Sequence, residues 1–466
     1  MLDYLTGLWV QNTCKGVALV VVFSACLLAL AGCQTAPLHL NDGQGDLQLP
    51  PTLPLFTGAA PSLASPQSAG IAGAAGQLAA PGEVTQSRSG PDLWGRLRAG
   101  FALTETAQPV KAPATLPDAV LALRVDAHVR WHQQNQPNLT RTFTRARLVL
   151  FDIVEAVERA GMPLELALLP AIESAFQPDV CSQAAACGLW QFIVPTARRF
   201  DLKRHLFSDE RRHVRAGTAA ALRYLKELHT RFNGDWHLAL AAYNCGEGCV
   251  ERAVKQARKA GLAGRFTDLR LPNETAQYVP RLLALAQVVA DPQAHGLTFP
   301  ALDNAPYFVA HRITRDVDVA LAARLAGMRM QDFLALNAHH QKPVIVAASD
   351  PLVFVPVAQA AKFAQALTEH RGPLSSWRAV RVHSHSSTEA IARAHGADLA
   401  QFRAVNGIQP KHSIQAGSTV LVPRHGHENA ADVSLETVLK GTLNLNTAAT
   451  HPRVNRRQGA IKSDVL

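Results

Sequence analysis

The sequence predicts a mainly α-helical protein that ends in small βααβ modules. The chain of 466 residues is 48% hydrophobic but only 6% aromatic, and outside one stretch it is rich in Ala and Leu without long β-branched runs. That composition favours helices packed on helices over a large sheet. From about Gln34 to Gly90 the chain is rich in Pro, Gly, Ala, Ser and Gln and has no hydrophobic period, so it cannot bury a core and reads as a tether. After about Pro300 the pattern changes to short strands that bracket pairs of short helices.

At the N-terminus, Val17 through Leu30 is apolar apart from Ser24 and Cys26, which is shorter than the roughly 20 residues a spanning helix needs. It reads as the core of a signal peptide. The run closes with Leu30-Ala31-Gly32-Cys33, which resembles the lipobox of bacterial lipoproteins. The resemblance implies a signal peptide over residues 1–32, acylation of Cys33 as the mature first residue, and a flexible linker over 33–92. The non-acidic Gln34 after the cysteine then implies an outer-membrane lipoprotein facing the periplasm. An ordinary secretory peptide and an uncleaved helix are the alternatives.

Export disfavours nucleic acid as a partner, and no basic helix with interleaved aromatics is present. The net charge of +10 is scattered, with several basic residues in the segment 425–466, which reads as a flexible basic tail. Of seven cysteines, Cys181, Cys187, Cys245 and Cys249 remain once the signal peptide and Cys33 are set aside. In an oxidising compartment they are disulfide candidates, with three connectivities open. Zinc is the rival, but the His and Cys spacings form no recognisable ligand set, so neither metal nor cofactor is expected.

Residues 93–160 read as a helical lead-in anchored by Trp94, Leu97, Phe101, Val125, Val129 and Trp131, with no chemistry assigned. Next comes an apolar helix of Leu164, Leu166, Leu168, Leu169 and Ile172, interrupted by Pro170 and closed by Glu173-Ser174. A carboxyl at such a point is partly desolvated, which raises its pKa and keeps it protonated near neutral pH, as a general acid requires. Then follow Ser182, the run Gly188-Leu189-Trp190-Gln191, and a helix from about Asp209 to Phe232. Asp235-Trp236 starts a helix that ends in Ala241-Ala242-Tyr243-Asn244-Cys245-Gly246, and Leu271-Pro272-Asn273-Glu274-Thr275 opens another that carries Tyr278-Val279.

Glu-Ser, Gly-Leu-Trp-Gln, Ala-Tyr-Asn-x-Gly and Glu-Thr-x-x-Tyr-Val, in this order, resemble the four motifs of soluble-type lytic transglycosylases, whose fold is similar to goose-type lysozyme. Between the motifs, Pro163 through Pro170, Asp209-Glu210-Arg211-Arg212 and Gly234 through Gly248 resemble the membrane-bound lytic transglycosylase D branch. The resemblance implies a lysozyme-like helical catalytic domain over 161–295, with Glu173 as acid and base. It implies that Ser182 and Gln191 line the cleft, that Ser174 also meets substrate, and that Tyr243, Asn244 and Tyr278 hold the sugar or orient the carboxyl. These are neutral donors and acceptors suited to hydroxyl and acetamido groups.

Beyond the helices, Trp377 to Val382, Ser387 to His395, Asp398 to Val405 and Val420 to Pro423 give a βααβ order. With Asn406-Gly407, Ile414 and Gly417 this resembles a LysM peptidoglycan-binding module over 376–424, although His385-Ser386-Ser387-Thr388 replaces the usual Gly-Asp-Thr-Leu turn. A degenerate copy is read over 300–358 from Ala322-Ala323, Leu334, Leu336-Asn337 and Phe354-Val355-Pro356. The implied partner is the glycan strand of peptidoglycan, and the implied reaction is cleavage of the β-1,4 bond between N-acetylmuramic acid and N-acetylglucosamine with 1,6-anhydromuramoyl products. A non-catalytic wall-binding lipoprotein and a lysozyme-type hydrolase are the alternatives, with chitin as a rival substrate.

Overall fold

The computed structural model describes residues 92–103, 116–424 and 432–447. The signal peptide, Cys33 and nearly all of the linker lie outside the described residues. Asp92 accepts a hydrogen bond from Gly95 N and so starts α1 (Leu93–Ala99). Helices α2 (Leu116–Gln134), α3 (Gln136–Ala146) and α4 (Leu150–Arg159) follow. Apolar residues three or four apart, Leu139, Phe143 and Ala146 on α3 and Leu150, Ile153, Val154 and Val157 on α4, are buried. They join the same core as the motif-bearing helices, so the lead-in and the catalytic segment form one body.

The apolar stretch before Glu173 is not one helix. A 3₁₀ turn (Leu164–Leu168) passes into a short α5 (Leu169–Glu173). Pro170 has no N–H to give a preceding turn, and it sits instead in the first turn of the new helix. Helix α6 (Val194–Arg199) follows. The helix expected from about Asp209 is likewise divided into a 3₁₀ turn (Glu210–Arg212) and α7 (Val214–Arg231), because Asp209 caps Arg211 N and His213 Nδ1 caps Ala216 N. Helix α8 (Trp236–Cys245) starts at its cap Asp235 and buries every residue from Leu238 to Ala242. It is the apolar centre around which α7, α9 (Glu247–Lys259) and α10 (Asn273–Ala290) pack. Gly246, at φ +86, makes the turn from α8 into α9.

Two βααβ modules follow. The first has β1 (Phe308–Arg312), β2 (Val317–Asp318), α11 (Val319–Leu325), α12 (Met330–Leu336), β3 (Val344–Ile345) and β4 (Leu352–Pro356), and it continues into α13 (Ala360–Glu369), beyond the boundary read from sequence. The second has β5 (Trp377–Arg381), β6 (Ser386–Ser387), α14 (Thr388–Ala394), α15 (Leu399–Asn406), β7 (His412–Ile414) and β8 (Thr419–Pro423). In each, the outer strands pair antiparallel, Phe308 with Pro356 and Trp377 with Pro423. A buried asparagine locks each pair to the preceding helix. Asn337 exchanges two bonds with the backbone of Phe354 at 2.7 and 2.9 Å, and Asn406 does the same with Leu421 at 2.7 and 2.9 Å.

The segment read as a flexible basic tail is corrected in part. Residues 432–447 form α16 (Leu435–Lys440) and β9 (Leu445–Thr447), and β9 pairs with β7. Val433 and Val438 reach a shared apolar cluster with Phe207, Val344, Trp377 and Leu421, so a few spaced apolar anchors outweigh a polar composition.

The modules are docked, not strung out. Phe308, Leu336 and Phe354 belong to the catalytic body's own core. Backbone bonds join Asp209 N to His339 O at 2.9 Å and Gln341 N to Phe207 O at 2.8 Å. Between modules, Lys342 donates to the carbonyls of Val405 and Asn406, both at 3.3 Å, at the C-terminal end of α15 where a cation suits the helix dipole. Among the described residues no helix is long and apolar enough to cross a membrane.

Phe354 is fully buried and touches both bodies, with its ring 4.6 Å from Phe308 and 4.9 Å from His213. Phe354→Ala is expected to destabilise the protein by about 3–5 kcal/mol, read as a lowered midpoint in urea unfolding. A wild-type midpoint would mean that the docking contributes little.

Candidate active site

Glu173 is the last residue of α5. The chain then bends sharply. Ala175 and Phe176 lie at φ 49 and 55, in the left-handed region, and the Pro170 carbonyl accepts from both Ser174 N and Phe176 N at 3.1 and 3.0 Å. Phe176 is buried in the core, and Arg145 of α3 donates to the Ala175 carbonyl at 3.1 Å.

The opposing loop is fixed from several sides. Cys181 is bonded to Cys187, and Cys187 pairs with Phe192 across a tight ladder. Gly188 stands at φ +87, where a Cβ would lie 1.9 Å from the Arg211 carbonyl, so only glycine fits. Arg211, buried and ion-paired to Asp209 at 2.7 Å, donates to the carbonyls of Ala185 and Phe192 at 2.7 and 3.1 Å. The Asp209–Arg212 run therefore holds this wall in place. Trp190 is buried, with its indole N–H on Thr218 Oγ1 at 3.0 Å. Its carbonyl accepts the Tyr243 hydroxyl at 2.8 Å.

Tyr278 of α10 donates its hydroxyl to Glu173 Oε1 at 2.5 Å. Burial pushes the Glu173 carboxyl up from 4.5 to about 7; the Tyr278 bond and Arg281 work against the rise, and Glu274 adds to it. Burial also holds the Tyr243 and Tyr278 phenols well above their ordinary range, so both remain neutral donors. Asn244 is buried, and its Oδ1 accepts from Thr275 Oγ1 at 2.7 Å while its amide serves the Glu274 carboxylate.

Tyr278 lies on Glu173, Tyr243 is near enough to act on it electrostatically, Asn244 meets Thr275 at the start of the helix that carries Tyr278, and Gln191 follows Trp190, whose carbonyl Tyr243 meets. Ser174 is a correction. It is 5% exposed, and its hydroxyl is committed to the carbonyls of Pro170 and Leu189 at 3.2 and 3.1 Å, so it braces the bend and is not turned to substrate. Gln191, at φ 48, folds its amide back on the carbonyls of Gly188 and Val180 at 2.8 and 3.3 Å. Ser182 Oγ accepts from Ala186 N at 3.2 Å and is partly exposed. Cys245 is bonded to Cys249, which staples the α8–α9 turn below Asn244. Arg145 carries no sequence signal, and Arg211 and Thr275 stand in recognisable motifs without a role, because a polar residue's partner cannot be read from spacing.

No group of three or more His, Cys, Asp or Glu is placed to hold a metal among the described residues. The remaining acids near the motifs are occupied elsewhere. Asp235 caps α8, and Glu247 binds Arg199 and Tyr224. Glu274 takes the Asn244 amide, and Asp179 is exposed.

A helical body that holds a half-buried, protonatable carboxyl and is followed by two βααβ modules fits the lysozyme-like class of glycan-cleaving enzymes. Residues 153–263 match the transglycosylase SLT domain, 307–372 the LysM-like domain of lytic transglycosylase MltD, and 382–423 the LysM domain. The chain is 32% identical over 312 residues to membrane-bound lytic murein transglycosylase D of Escherichia coli strain K12, covering 63% of this chain and 69% of the relative. It matches the protein of the same name from Escherichia coli O6:H1 to the same extent. The chain belongs to the membrane-bound lytic murein transglycosylase D family. An X-ray structure of an inactive mutant of lytic transglycosylase Slt from Pseudomonas aeruginosa shares 26% identity with it, covering 31% of this chain and 24% of that one, at a TM-score of 0.26.

A reaction that uses the Glu173 proton slows as pH rises through about 7, where the carboxyl ionises. The Tyr278 bond favours the ionised form, so Tyr278→Phe should move that basic limb to higher pH. A limb unmoved in a kcat–pH profile would separate Tyr278 from the titration. In the unfolded oxidised protein, thiol labelling at Cys181, Cys187, Cys245 and Cys249 is expected only after reduction, and stoichiometric labelling without reductant would exclude both disulfides.

Proposed function

We propose that this enzyme cleaves the β-1,4 bond between N-acetylmuramic acid and N-acetylglucosamine and leaves 1,6-anhydromuramoyl ends, with Glu173 as acid and then base. The observation that carries the reading is the half-buried Glu173 carboxyl, raised by desolvation to about 7 and met by a neutral tyrosine donor. A glycosidic oxygen leaves poorly without a proton, and Glu173 is in the form to give one.

Glycosidases of the ordinary kind use two carboxylates, one to activate water or to bond the sugar. Here the neighbouring acids cap helices, pair with cations or amides, or face solvent. The developing positive charge at the sugar then falls to the substrate's own N-acetyl oxygen. Once ionised, Glu173 takes the proton from the C6 hydroxyl of the same sugar. That hydroxyl attacks intramolecularly, with an effective molarity of about 10⁵ M or more in well-oriented cases, and outruns water.

Cys33 is proposed as a lipid anchor that holds the enzyme to the outer membrane on its periplasmic side, after removal of a signal peptide over residues 1–32. The lipobox-like Leu30-Ala31-Gly32-Cys33 supports this, as does the name membrane-bound carried by the relatives. Ser182 and Gln191 are proposed to meet the sugar, and the two modules to hold neighbouring stretches of the glycan.

Mass spectrometry of the products released from purified sacculi tests the reaction. Muramoyl ends lighter by one water than a hydrolytic product are expected, and chiefly reducing muramic acid ends would make the enzyme a hydrolase. Glu173→Gln should lower turnover by about 100-fold or more while the protein still cosediments with sacculi. Activity within about tenfold of wild type would defeat the role of Glu173.

A further inference from the structure

The carboxyl of Glu173 is aimed by the backbone that leaves it, and that backbone is in a form side chains resist. Ala175 and Phe176 occupy consecutive left-handed positions at φ 49 and 55, which residues with a Cβ adopt when their surroundings hold them there. Two of the restraints lie within the bend or beneath it: the Pro170 carbonyl that gathers Ser174 N and Phe176 N, and the buried Phe176 ring. The third comes from a distant helix. Arg145, thirty residues earlier, donates from Nη1 to the Ala175 carbonyl at 3.1 Å.

Arg145 is half-buried, and burial lowers its pKa from the ordinary value, with Arg141 adding to the effect and Asp179 opposing it at longer range. Among the described residues no salt bridge neutralises it. Packing alone gives no reason to keep a guanidinium there, since an apolar side chain would fill the space without the desolvation cost. What the cation does make is a charge-assisted hydrogen bond to a single carbonyl, the stronger kind for fixing a position.

We propose that Arg145 is a positioning residue for the reaction: its guanidinium clamps the Ala175 carbonyl, so that the left-handed bend aims the Glu173 carboxyl at the Tyr278 hydroxyl and the cleft. Arg145 lies outside the 153–263 segment that matches the SLT domain, which makes the lead-in helices part of the catalytic apparatus. The inference rests on the reading of Glu173 as acid and base.

The test uses the full chain acting on uncrosslinked glycan strands, with products counted by mass spectrometry and melting temperatures measured in parallel. Arg145→Met removes the clamp, and a carboxyl displaced by about 1 Å costs about 100-fold in rate, so kcat should fall by that order with KM little changed. A loosened carboxyl takes up water, so the basic limb of kcat should move to lower pH. The groups that face Glu173 and stay in place are Tyr278, Glu274 and Arg281 from α10 and Tyr243 from α8. Arg145→Lys keeps the charge with a poorer fit to the carbonyl and should fall between Met and wild type.

Ala175→Gly added to Arg145→Met should recover part of kcat, because glycine takes the left-handed form without strain. A wild-type kcat and pH limb in Arg145→Met would overturn the proposal. So would a loss of activity that follows the loss of folded protein and is not relieved by Lys or Gly. If Arg145→Met does not fold, a wild-type kcat and pH limb in Arg145→Lys overturns it. Glu173→Gln, assayed beside them, separates the two ideas: turnover retained there defeats the acid and base assignment, whatever the Arg145 variants do.

Discussion

A carboxyl group surrounded by apolar helices has two stable options, to pair with a cation or to keep its proton, and this protein is arranged around the second. The groups that approach Glu173 most closely are hydroxyls whose own protons are held tightly, Tyr278 directly and Tyr243 behind it. Arg281 acts on the carboxyl only from a distance, without a bond to it. A direct ion pair would have favoured the charged form and removed the acid. The apolar helix Trp236–Cys245, the 3₁₀ entry to Glu173 and the helix bearing Tyr278 together supply the low-dielectric surroundings that make the proton stay.

Keeping a polar group in such a place requires that everything near it be satisfied by something other than substrate. The hydroxyl of Ser174 goes to two carbonyls, that of Tyr243 to Trp190, and that of Thr275 to Asn244. The bonds from Ser174 to Leu189, Tyr243 to Trp190 and Thr275 to Asn244 cross between elements, so the fold is tied together close to the carboxyl. The tie continues outward through Asp209 and Arg211, whose ion pair supports the loop at Ala185 and Phe192, and then through Asp209 N to His339 in the first module.

Much of this was legible in sequence because the family's motifs are short, ordered and chemically specific. Glu173 and Tyr278 could be grouped from their motifs, and a hydrogen bond joins them; the βααβ order could be read from the strand and helix patterns. What was not legible is the direction of side chains and the partner of each. Ser174 stands beside the carboxyl in sequence, yet the turn after it points its hydroxyl inward. Arg145 sits in a helix whose apolar spacing announces only burial, and nothing local marks it as reaching Ala175. The segment from 432 to 447 shows the opposite failure. The polar tail around it hides its apolar residues, of which Val433 and Val438 seat it against Phe207 and Trp377 while Leu443 and Leu445 pack on the second module's core. Pro170 is visible in the sequence, and its missing N–H is the reason the apolar run divides into a turn and a second helix.

The strand Leu445–Thr447 carries a consequence of another kind. By pairing with His412–Ile414 it makes a three-stranded ribbon in the second module and passes that ribbon's outer edge to a strand of only three residues. An uncovered edge is a template on which a second chain can add its own strand. A protein concentrated on a polymer surface meets its copies often, and a module whose outer edge is a strand of three residues offers them a poor template for self-association.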